Sequence, residues 1–372
     1  MTIFLFIILL TTLGYAIFMA WLFAGMGKGV SFKDEYLPEV SIVIPFRNEE
    51  AHLETLISAL ARQKYPHHCM EVLLINDHSE DHSAVLTKEL SGRFPQLNFQ
   101  LLTLEQKTGK KNALYLGVRE ARHDIILQSD ADCKPEDNWV KNSVQPFRDP
   151  KIAASLGMVR MTGKRVQRIF ALEFLSLQAS GAALVQRGIP VMANGANLAY
   201  RRDVWLRYHP EVKRWASGDD VFFIQQLALK DQRTIHYNFR SCVDTAAPDN
   251  TRSFFNQRVR WGSKTPAYPL RSAQYIAYLV AGENSLLVIY FFLGLFLSAD
   301  YMAIFMALIA IKSIPDYLIT HSFAKQSDQQ KLMRLFPLAA LLYPFYIVVS
   351  GTIIVFGSRS QRWKGRPIQS SD

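Results

Sequence analysis

Cysteine is scarce in this chain: Cys69, Cys133 and Cys242 are the only three in 372 residues. Their spacing fits neither a disulfide framework nor a zinc site, which suits a reducing compartment. The nine histidines show no metal-ligand spacing either. A serine nucleophile elbow and a Walker phosphate loop are both missing, which argues against those two chemistries. Internal repeats and low-complexity tracts are not evident. No basic side chain precedes Lys28 and Lys33, so the start of the chain lacks the basic region of a secretory signal.

What the chain does have is long apolar runs. Residues 3–24 are uncharged and long enough for one bilayer span of about 20 residues. The first basic residues follow this run, so the positive-inside rule predicts an N-terminus outside and a cytosolic segment from residue 26 onward. Further apolar segments run over 275–297, 300–320 and 336–356. The middle one is the weakest, because Lys312, Pro315 and Asp316 interrupt it; Lys312 and Asp316 share a helical face and can pair. Four full spans would place the C-terminus outside, yet Arg359, Arg362, Lys364 and Arg366 prefer the cytosol. One C-terminal segment is therefore a candidate for an interfacial or re-entrant helix. The expected organisation is a transmembrane helix over 1–25, a cytosolic domain over 26–270, transmembrane or interfacial helices over 271–357 and a basic tail over 358–372. The net charge of +10 points to anionic lipid headgroups. Nucleic-acid binding has no supporting motif.

Between the apolar ends, strand-like and helical runs alternate. Val40 to Pro45, Val72 to Ile75, Phe99 to Leu104 and Ile125 to Leu127 read as strands; residues 48–63, 80–92 and 110–121 read as helices. That alternation predicts an α/β domain with a mostly parallel sheet. Ligands of such sheets bind beyond the carboxyl ends of the strands. Arg47-Asn48-Glu49, Asn76-Asp77 and Asp130-Ala131-Asp132 sit at those ends.

Hard divalent cations take carboxylate oxygens, and Mg²⁺ commonly uses one or two carboxylates plus substrate phosphates. Asp130 and Asp132 suit that role, although an Asp-rich loop also occurs without a metal. Asp77 can accept hydrogen bonds from a nucleoside, or simply close a strand-to-helix turn. Residues 107–112, with Lys110, precede a helix, where lysines meet phosphate or remain solvated. Asp219 and Asp220 follow Gly218; acids cap helix N-termini, and a positioned carboxylate can also remove a proton from an attacking hydroxyl. Spacing does not say which of the two does so. Gln257, Arg260 and Trp261 fall at i, i+3 and i+4 on one helical face. Arg260 can neutralise phosphate, Trp261 can stack on a sugar, and the surrounding Arg252, Phe254, Phe255, Arg258 and Lys264 also suit an interfacial anchor. Residues 166–185 read as a packed core helix or a lipid-facing one. Asn194 to Asn197 is a loop by composition.

Taken in order, these motifs resemble the membrane-bound family 2 glycosyltransferases, which include cellulose, hyaluronan and poly-N-acetylglucosamine synthases and ceramide glucosyltransferases. Pro45 to Glu49 resembles the opening nucleotide-binding motif. Asp77 is similar to the uridine-contacting aspartate. Asp130 and Asp132 resemble the Asp-x-Asp that holds metal and diphosphate. Asn194 to Arg202 resembles the acceptor-side Gly-x-Asn segment, which puts Asn197 among the acceptor candidates. Gln257, Arg260 and Trp261 match Gln-x-x-Arg-Trp. Gly218-Asp219-Asp220 departs from the usual Thr-Glu-Asp, so Asp220 stands for the base and Asp219 for the glutamate. The resemblance implies a GT-A fold, a nucleotide-diphosphate sugar donor (usually a UDP-sugar), Mg²⁺ or Mn²⁺, and inversion at the anomeric carbon. It also implies a lipid or cell-envelope glycan acceptor, with the enzyme in a bacterial inner or plasma membrane. The small membrane region favours a lipid or short acceptor over a processive polysaccharide synthase. An inactive scaffold that binds nucleotide sugar or lipid is disfavoured, because the acidic and cationic positions are filled. A transporter has only the Lys312 and Asp316 pair in its support.

Overall fold

The computed structural model describes residues 2–27, 35–105, 108–209, 218–356, 362–363 and 366–367. Lys28, Lys33, Lys107, Arg359 and Lys364 lie outside the described residues, and the side chains of Arg362 and Arg366 are likewise not described. The chain forms two compact units: one of Lys28–Thr162, Pro190–Ala246 and Arg362–Asp372, the other of Met1–Gly27, Gly163–Ile189 and Ala247–Gln361. Helices and strands are numbered along the whole chain.

The first unit is built on an eight-stranded sheet. Its strands are β1 (Val40–Phe46), β2 (Met70–Asn76), β3 (Asn98–Thr103), β4 (Ile125–Gln128), β5 (Cys133–Pro135), β6 (Ile152–Thr162), β7 (Leu198–Arg201) and β8 (Thr234–Ala246), in the order β3-β2-β1-β4-β7-β6-β8-β5. Strands β3, β2, β1 and β4 are parallel. Strand β7 then runs antiparallel to both β4 and β6, β8 pairs parallel with β6, and β5 closes the edge antiparallel to β8. The sheet is therefore α/β with a parallel half and a mixed half. Every residue of β1 and β2 is buried, as expected of central parallel strands covered on both faces. The helices of this unit are α2 (Glu50–Ala61), α3 (Ser83–Arg93), α4 (Lys110–Glu120), α5 (Trp139–Val144), α7 (Arg202–Tyr208) and α8 (Asp219–Lys230).

Helix α4 sits close on the sheet because Gly117 lets it. A Cβ there would stand 2.6 Å from Val43 Cγ1 and 2.7 Å from Ile75 Cδ1. Glu71 is buried near the start of β2, where an unpaired carboxylate would be costly. It accepts hydrogen bonds from Ser41 Oγ (2.5 Å), the Arg122 backbone N–H (2.6 Å) and Arg122 Nε (2.7 Å).

The second unit is helical: α1 (Thr2–Ala24), α6 (Gln167–Gln186), α9 (Thr251–Gly262), α10 (Arg271–Phe296), α11 (Ala299–Gln326) and α12 (Phe336–Phe356). Helices α1, α6, α10, α11 and the stretch Gln330–Phe356 are five segments long and apolar enough to cross a membrane. Helix α6 is the most covered of them, 61% buried against 11–33% for the others, so packing explains much of its apolar surface. Helix α11 continues through Pro315, where the sequence predicts an interruption. Its charges are internally met: Lys312 Nζ pairs with Asp316 Oδ2 at 2.6 Å, and Tyr15 of α1 donates to Asp316 Oδ1 at 2.9 Å. Thr12 likewise donates to the buried Glu283 of α10 at 2.6 Å. Around these polar contacts Ile8, Leu287, Tyr290, Phe305, Leu308 and Ile309 form an apolar core.

Candidate active site

In the sheet unit, parallel register aligns the strand ends. Phe46 lies opposite Asn76, and Val43 opposite Gln128. The loops that leave β1, β2 and β4 therefore emerge along one edge, the usual ligand edge of an open α/β sheet. Pro45 is buried inside β1 and lacks an N–H, so its part is to shape the strand end. Glu49 is buried at the start of α2; its backbone N–H donates to Ser83 Oγ at 2.8 Å, and its carboxylate meets His52 Nδ1 at 2.9 Å.

Asp77 is 3% exposed. Its two carboxylate oxygens accept the backbone N–H of Gly109 at 2.9 and 3.0 Å. Gly109 has φ of 106°, a conformation favourable only to glycine, and it immediately precedes Lys110. Asp77 thus holds the start of α4 in place, and the side chain of Lys110 then reaches the next strand end. Its ammonium lies 2.5 Å from Asp130 Oδ1. Burial alone would lower the lysine pKa. The nearby Asp130, Asp219 and Asp220 outweigh it and raise the ammonium above the ordinary lysine value. Lys111 shifts the other way: burial lowers it, against a pull from Asp219 and Asp220.

Asp132 is exposed while its neighbour Cys133 is buried. Burial first, then Asp132 and Asp130, push the Cys133 thiol upward, so it stays protonated and unreactive. The turn is fixed from behind, because Ser129 Oγ donates to the Ala196 carbonyl at 2.8 Å. The adjacent Gly195 N–H donates to Asp220 Oδ2 at 2.8 Å. Asp220 Oδ1 accepts the Val221 N–H at 2.8 Å, and the left-handed Gly218 (φ 99°) starts α8 so that both acids fall in its first turn. Asp219 is buried at 7% exposure and Asp220 is half-buried.

Gln128, Gly195, Lys110 and Asp220 are neighbours. A Cβ on Gly195 would come within 2.6 Å of Gln128 Nε2 and 3.6 Å of both Asp220 Oδ2 and Lys110 Nζ. Gln128 Nε2 is buried and has no hydrogen-bond partner among the described residues, although Gln128 Oε1 accepts from Tyr200 at 3.2 Å. Gln128 is a member of the cluster that sequence reasoning did not single out, because it reads as an ordinary strand residue.

Asn197, an acceptor candidate by resemblance, is engaged within the sheet unit. Its carboxamide faces the interior: Oδ1 accepts from Trp139 Nε1 (2.9 Å) and Ser241 Oγ (2.9 Å), and Nδ2 donates to the carbonyls of Met158 (2.8 Å) and Ser241 (3.1 Å). Two lone pairs and two N–H bonds are the whole capacity of the group. The Asn197 side chain thus joins α5, β6 and β8, with each hydrogen-bonding position of its carboxamide taken.

Gln257, Arg260 and Trp261 belong to the helical unit. All three are half-buried on α9. The helix starts with a capping box in which Asn250 Oδ1 accepts the Ser253 N–H at 2.9 Å. Between them the buried Arg258 donates to Gln257 Oε1 at 2.5 Å and lies 4.5 Å from the centre of the Trp261 ring.

Among the described residues no group of three or more His, Cys, Asp or Glu could hold a metal ion by itself. The aspartate pair fits the smaller requirement of a cation whose remaining ligands come from a bound diphosphate. Asp132 is exposed, and Asp130 is met by Lys110 at one oxygen.

The family model described as Glycosyl transferase family 2 matches residues 41–206, and the one described as Glycosyl transferase family group 2 matches residues 125–319. Glycosyltransferase AglE of Haloferax volcanii is 25% identical over 51% of this chain and 61% of its own length. A poly-beta-1,6-N-acetyl-D-glucosamine synthase of Staphylococcus epidermidis is 24% identical over 62% of this chain and 56% of its own. The chain thus spans little more than half the length of these curated relatives. Among solved structures, a mannosyltransferase from Pyrobaculum calidifontis in complex with GDP-Man and Mn²⁺ shares the fold, with a TM-score of 0.59 at 16% identity over 95% of this chain and 98% of that one. The second family model alone covers more than half of the chain, and the protein belongs to the family 2 glycosyltransferases, with a GT-A-like fold.

Proposed function

We propose that the protein is an inverting glycosyltransferase that moves a sugar from a nucleotide-diphosphate donor, a UDP-sugar on our reading, to a lipid or cell-envelope glycan acceptor. The observation that carries this reading is the convergence of Lys110, Asp130, Asp219 and Asp220 beside Gly195 at the ligand edge of the sheet. A fixed cation beside several carboxylates suits a departing diphosphate and an attacking hydroxyl.

On this reading Asp77 and Glu49 hold the nucleoside end. Asp132, helped by Asp130, would hold Mg²⁺ or Mn²⁺, which supplies charge neutralisation for a diphosphate leaving group. The Pyrobaculum mannosyltransferase structure contains Mn²⁺, which supports that cofactor class. Asp220 accepts the proton of the acceptor hydroxyl as its oxygen bonds to the anomeric carbon, and the bond from that carbon to the diphosphate breaks on the opposite face. Lys110 neutralises departing charge; for Arg260 and Trp261 the motif alone suggests a diphosphate contact and an indole offered to the acceptor. Asp220 is preferred to Asp219 as base because it is the less buried of the two and its Oδ2 is aimed by the Gly195 N–H. The five apolar helices support residence in a membrane; a cytosolic catalytic domain follows the charge pattern, and a bacterial inner or plasma membrane is what the family resemblance implies.

A second reading, a processive polysaccharide synthase, is favoured by the likeness to the poly-beta-1,6-N-acetyl-D-glucosamine synthase. One experiment addresses both. The purified protein in lipid is supplied with a panel of nucleotide sugars, with Mg²⁺, Mn²⁺ or chelator, while nucleotide diphosphate release and product size are followed. Metal-dependent release with one donor supports transfer; a single lipid-sized product or a ladder distinguishes one addition from polymerisation. Nucleotide binding without release from any donor in the presence of membrane extract would overturn the enzyme reading in favour of a scaffold.

A further inference from the structure

Arg258 lies between the motif residues of α9, and nothing in the reaction assigned above uses it. It is one of the most deeply buried cations of the helical unit, 5% exposed. Its charge is balanced by Glu173 of α6, which takes both Nε (2.9 Å) and Nη2 of the guanidinium on one oxygen. The other Glu173 oxygen accepts from Tyr346 of α12 at 3.1 Å. A third guanidinium nitrogen, Nη1, donates to Gln257 Oε1 at 2.5 Å. The flat face of the group lies 4.5 Å from the ring centres of both Trp261 and Phe254. Trp261 is bounded further by Phe174 of α6, 6.0 Å away.

We propose that Arg258, held by Glu173, is the positioning residue that sets the Gln257 carboxamide and the Trp261 indole in their working orientations. The assignment rests on the acceptor role proposed above for Trp261 and on Gln257 belonging to the same motif. Only a planar guanidinium does this work: two donors grip the carboxylate, a third reaches an amide oxygen, and the ring-facing surface stays available for stacking. A lysine ammonium can satisfy Glu173 but cannot hold Gln257 and stack on Trp261 at the same time. Because Glu173 also takes the Tyr346 hydroxyl, the orientation of the motif is tied to an apolar helix that lies nearly ninety positions further along the chain.

The test is a mutant cycle on kcat with the protein in lipid. Arg258→Lys and Glu173→Gln are each measured alone and together with Trp261→Ala, alongside nucleotide diphosphate affinity and thermal stability. Misplacement of a positioned group by about 1 Å costs about 10²-fold in rate. The expected result is a fall of about that size in kcat for Arg258→Lys, with nucleotide affinity retained, and less than about a twofold further fall when Trp261 is already alanine. Additive losses in the double variants, or an Arg258→Lys enzyme with ordinary kcat, would overturn the proposal. If Arg258→Lys fails to fold, Glu173→Gln carries the same cycle, since it keeps the hydrogen bond but loosens the grip. Should Trp261→Ala and Gln257→Ala themselves leave turnover unchanged, it is the reading of the motif that fails, and the cycle distinguishes the two.

Discussion

Lys110 Nζ lies 2.5 Å from Asp130 Oδ1, with Asp219 and Asp220 close enough to raise its pKa. One ammonium thus offsets carboxylates delivered by β4 and α8. Replacing it by methionine keeps much of the volume and removes the charge. Lys110→Met is expected to lower kcat/KM for the donor by about 10²–10³, the size seen when one charge-stabilising group is lost. Calorimetric titration with nucleotide diphosphate checks it; unchanged affinity and rate would remove Lys110 from the donor site.

Asp132 is exposed, so its loss should leave the fold intact, within about 0.5 kcal/mol. Asp132→Ala is expected to abolish metal-dependent turnover while membrane insertion and melting temperature stay normal. Chelator should do the same to the parent protein, and added Mn²⁺ should reverse it. Normal turnover in the variant would rule out the metal assignment.

The two acids of α8 are separable. Asp220→Asn keeps an oxygen for the Gly195 N–H and removes the base, so kcat should fall by about 10²–10⁴ with donor affinity retained. Asp219→Asn should mainly affect packing near Tyr200 and the field at Lys110. The reverse pattern, with Asp219→Asn inactive and Asp220→Asn active, would exchange their roles.

Gly195 has no room for a methyl group. Gly195→Ala would drive a Cβ to 2.6 Å from Gln128 Nε2, and overpacking of this kind costs about 1–3 kcal/mol. A lowered melting temperature is expected, with partial recovery in Gly195→Ala/Gln128→Ser. No recovery in the double variant would mean that the strain lies elsewhere.

Glu71 sets an acid limit on stability. Burial raises its carboxyl pKa, but the hydrogen bonds from Ser41 and Arg122 outweigh it and hold the pKa below the ordinary value of 4.5. A depressed folded-state pKa stabilises the fold fully above the unfolded value and loses that contribution as pH falls through the folded one. The parent should therefore exceed Glu71→Gln in stability at neutral pH, by about 1–3 kcal/mol. The gap should narrow below pH 4.5. Denaturant unfolding across acidic pH checks this, and a gap independent of pH would point to packing rather than charge.

The parallel half of the sheet is legible in the sequence because β1, β2 and β4 are continuous apolar runs that end in polar clusters, and the observed strands β1 to β4 lie within a residue or two of the expected ones. The mixed half is not legible. Strand β6 shifts register against β8 at Gly157/Met158, so neither strand keeps a clean alternation, and β7 is only four residues long, directly after the loop-like Asn194 to Asn197. Asn197 shows what a local reading leaves out: the resemblance makes it an acceptor candidate, while its four hydrogen bonds all go to distant segments that no local pattern reveals. Arg258 is hidden for the opposite reason, since an arginine beside a motif arginine reads as one more surface cation until Glu173 is placed against it.

The polar contacts among α1, α10 and α11 also bear on how the chain is made. Lys312, Asp316 and Glu283 sit near the middle of helices apolar enough to cross a membrane. A charged side chain at that depth resists insertion by about 2.5–3.5 kcal/mol on the translocon scale. Helix α1 leaves the ribosome long before them and carries Thr12 and Tyr15, the hydroxyl partners of Glu283 and Asp316. The first helix is therefore the counterpart of the two acids: removing the Thr12 and Tyr15 hydroxyls would strip Glu283 and Asp316 of partners that the apolar surroundings do not replace.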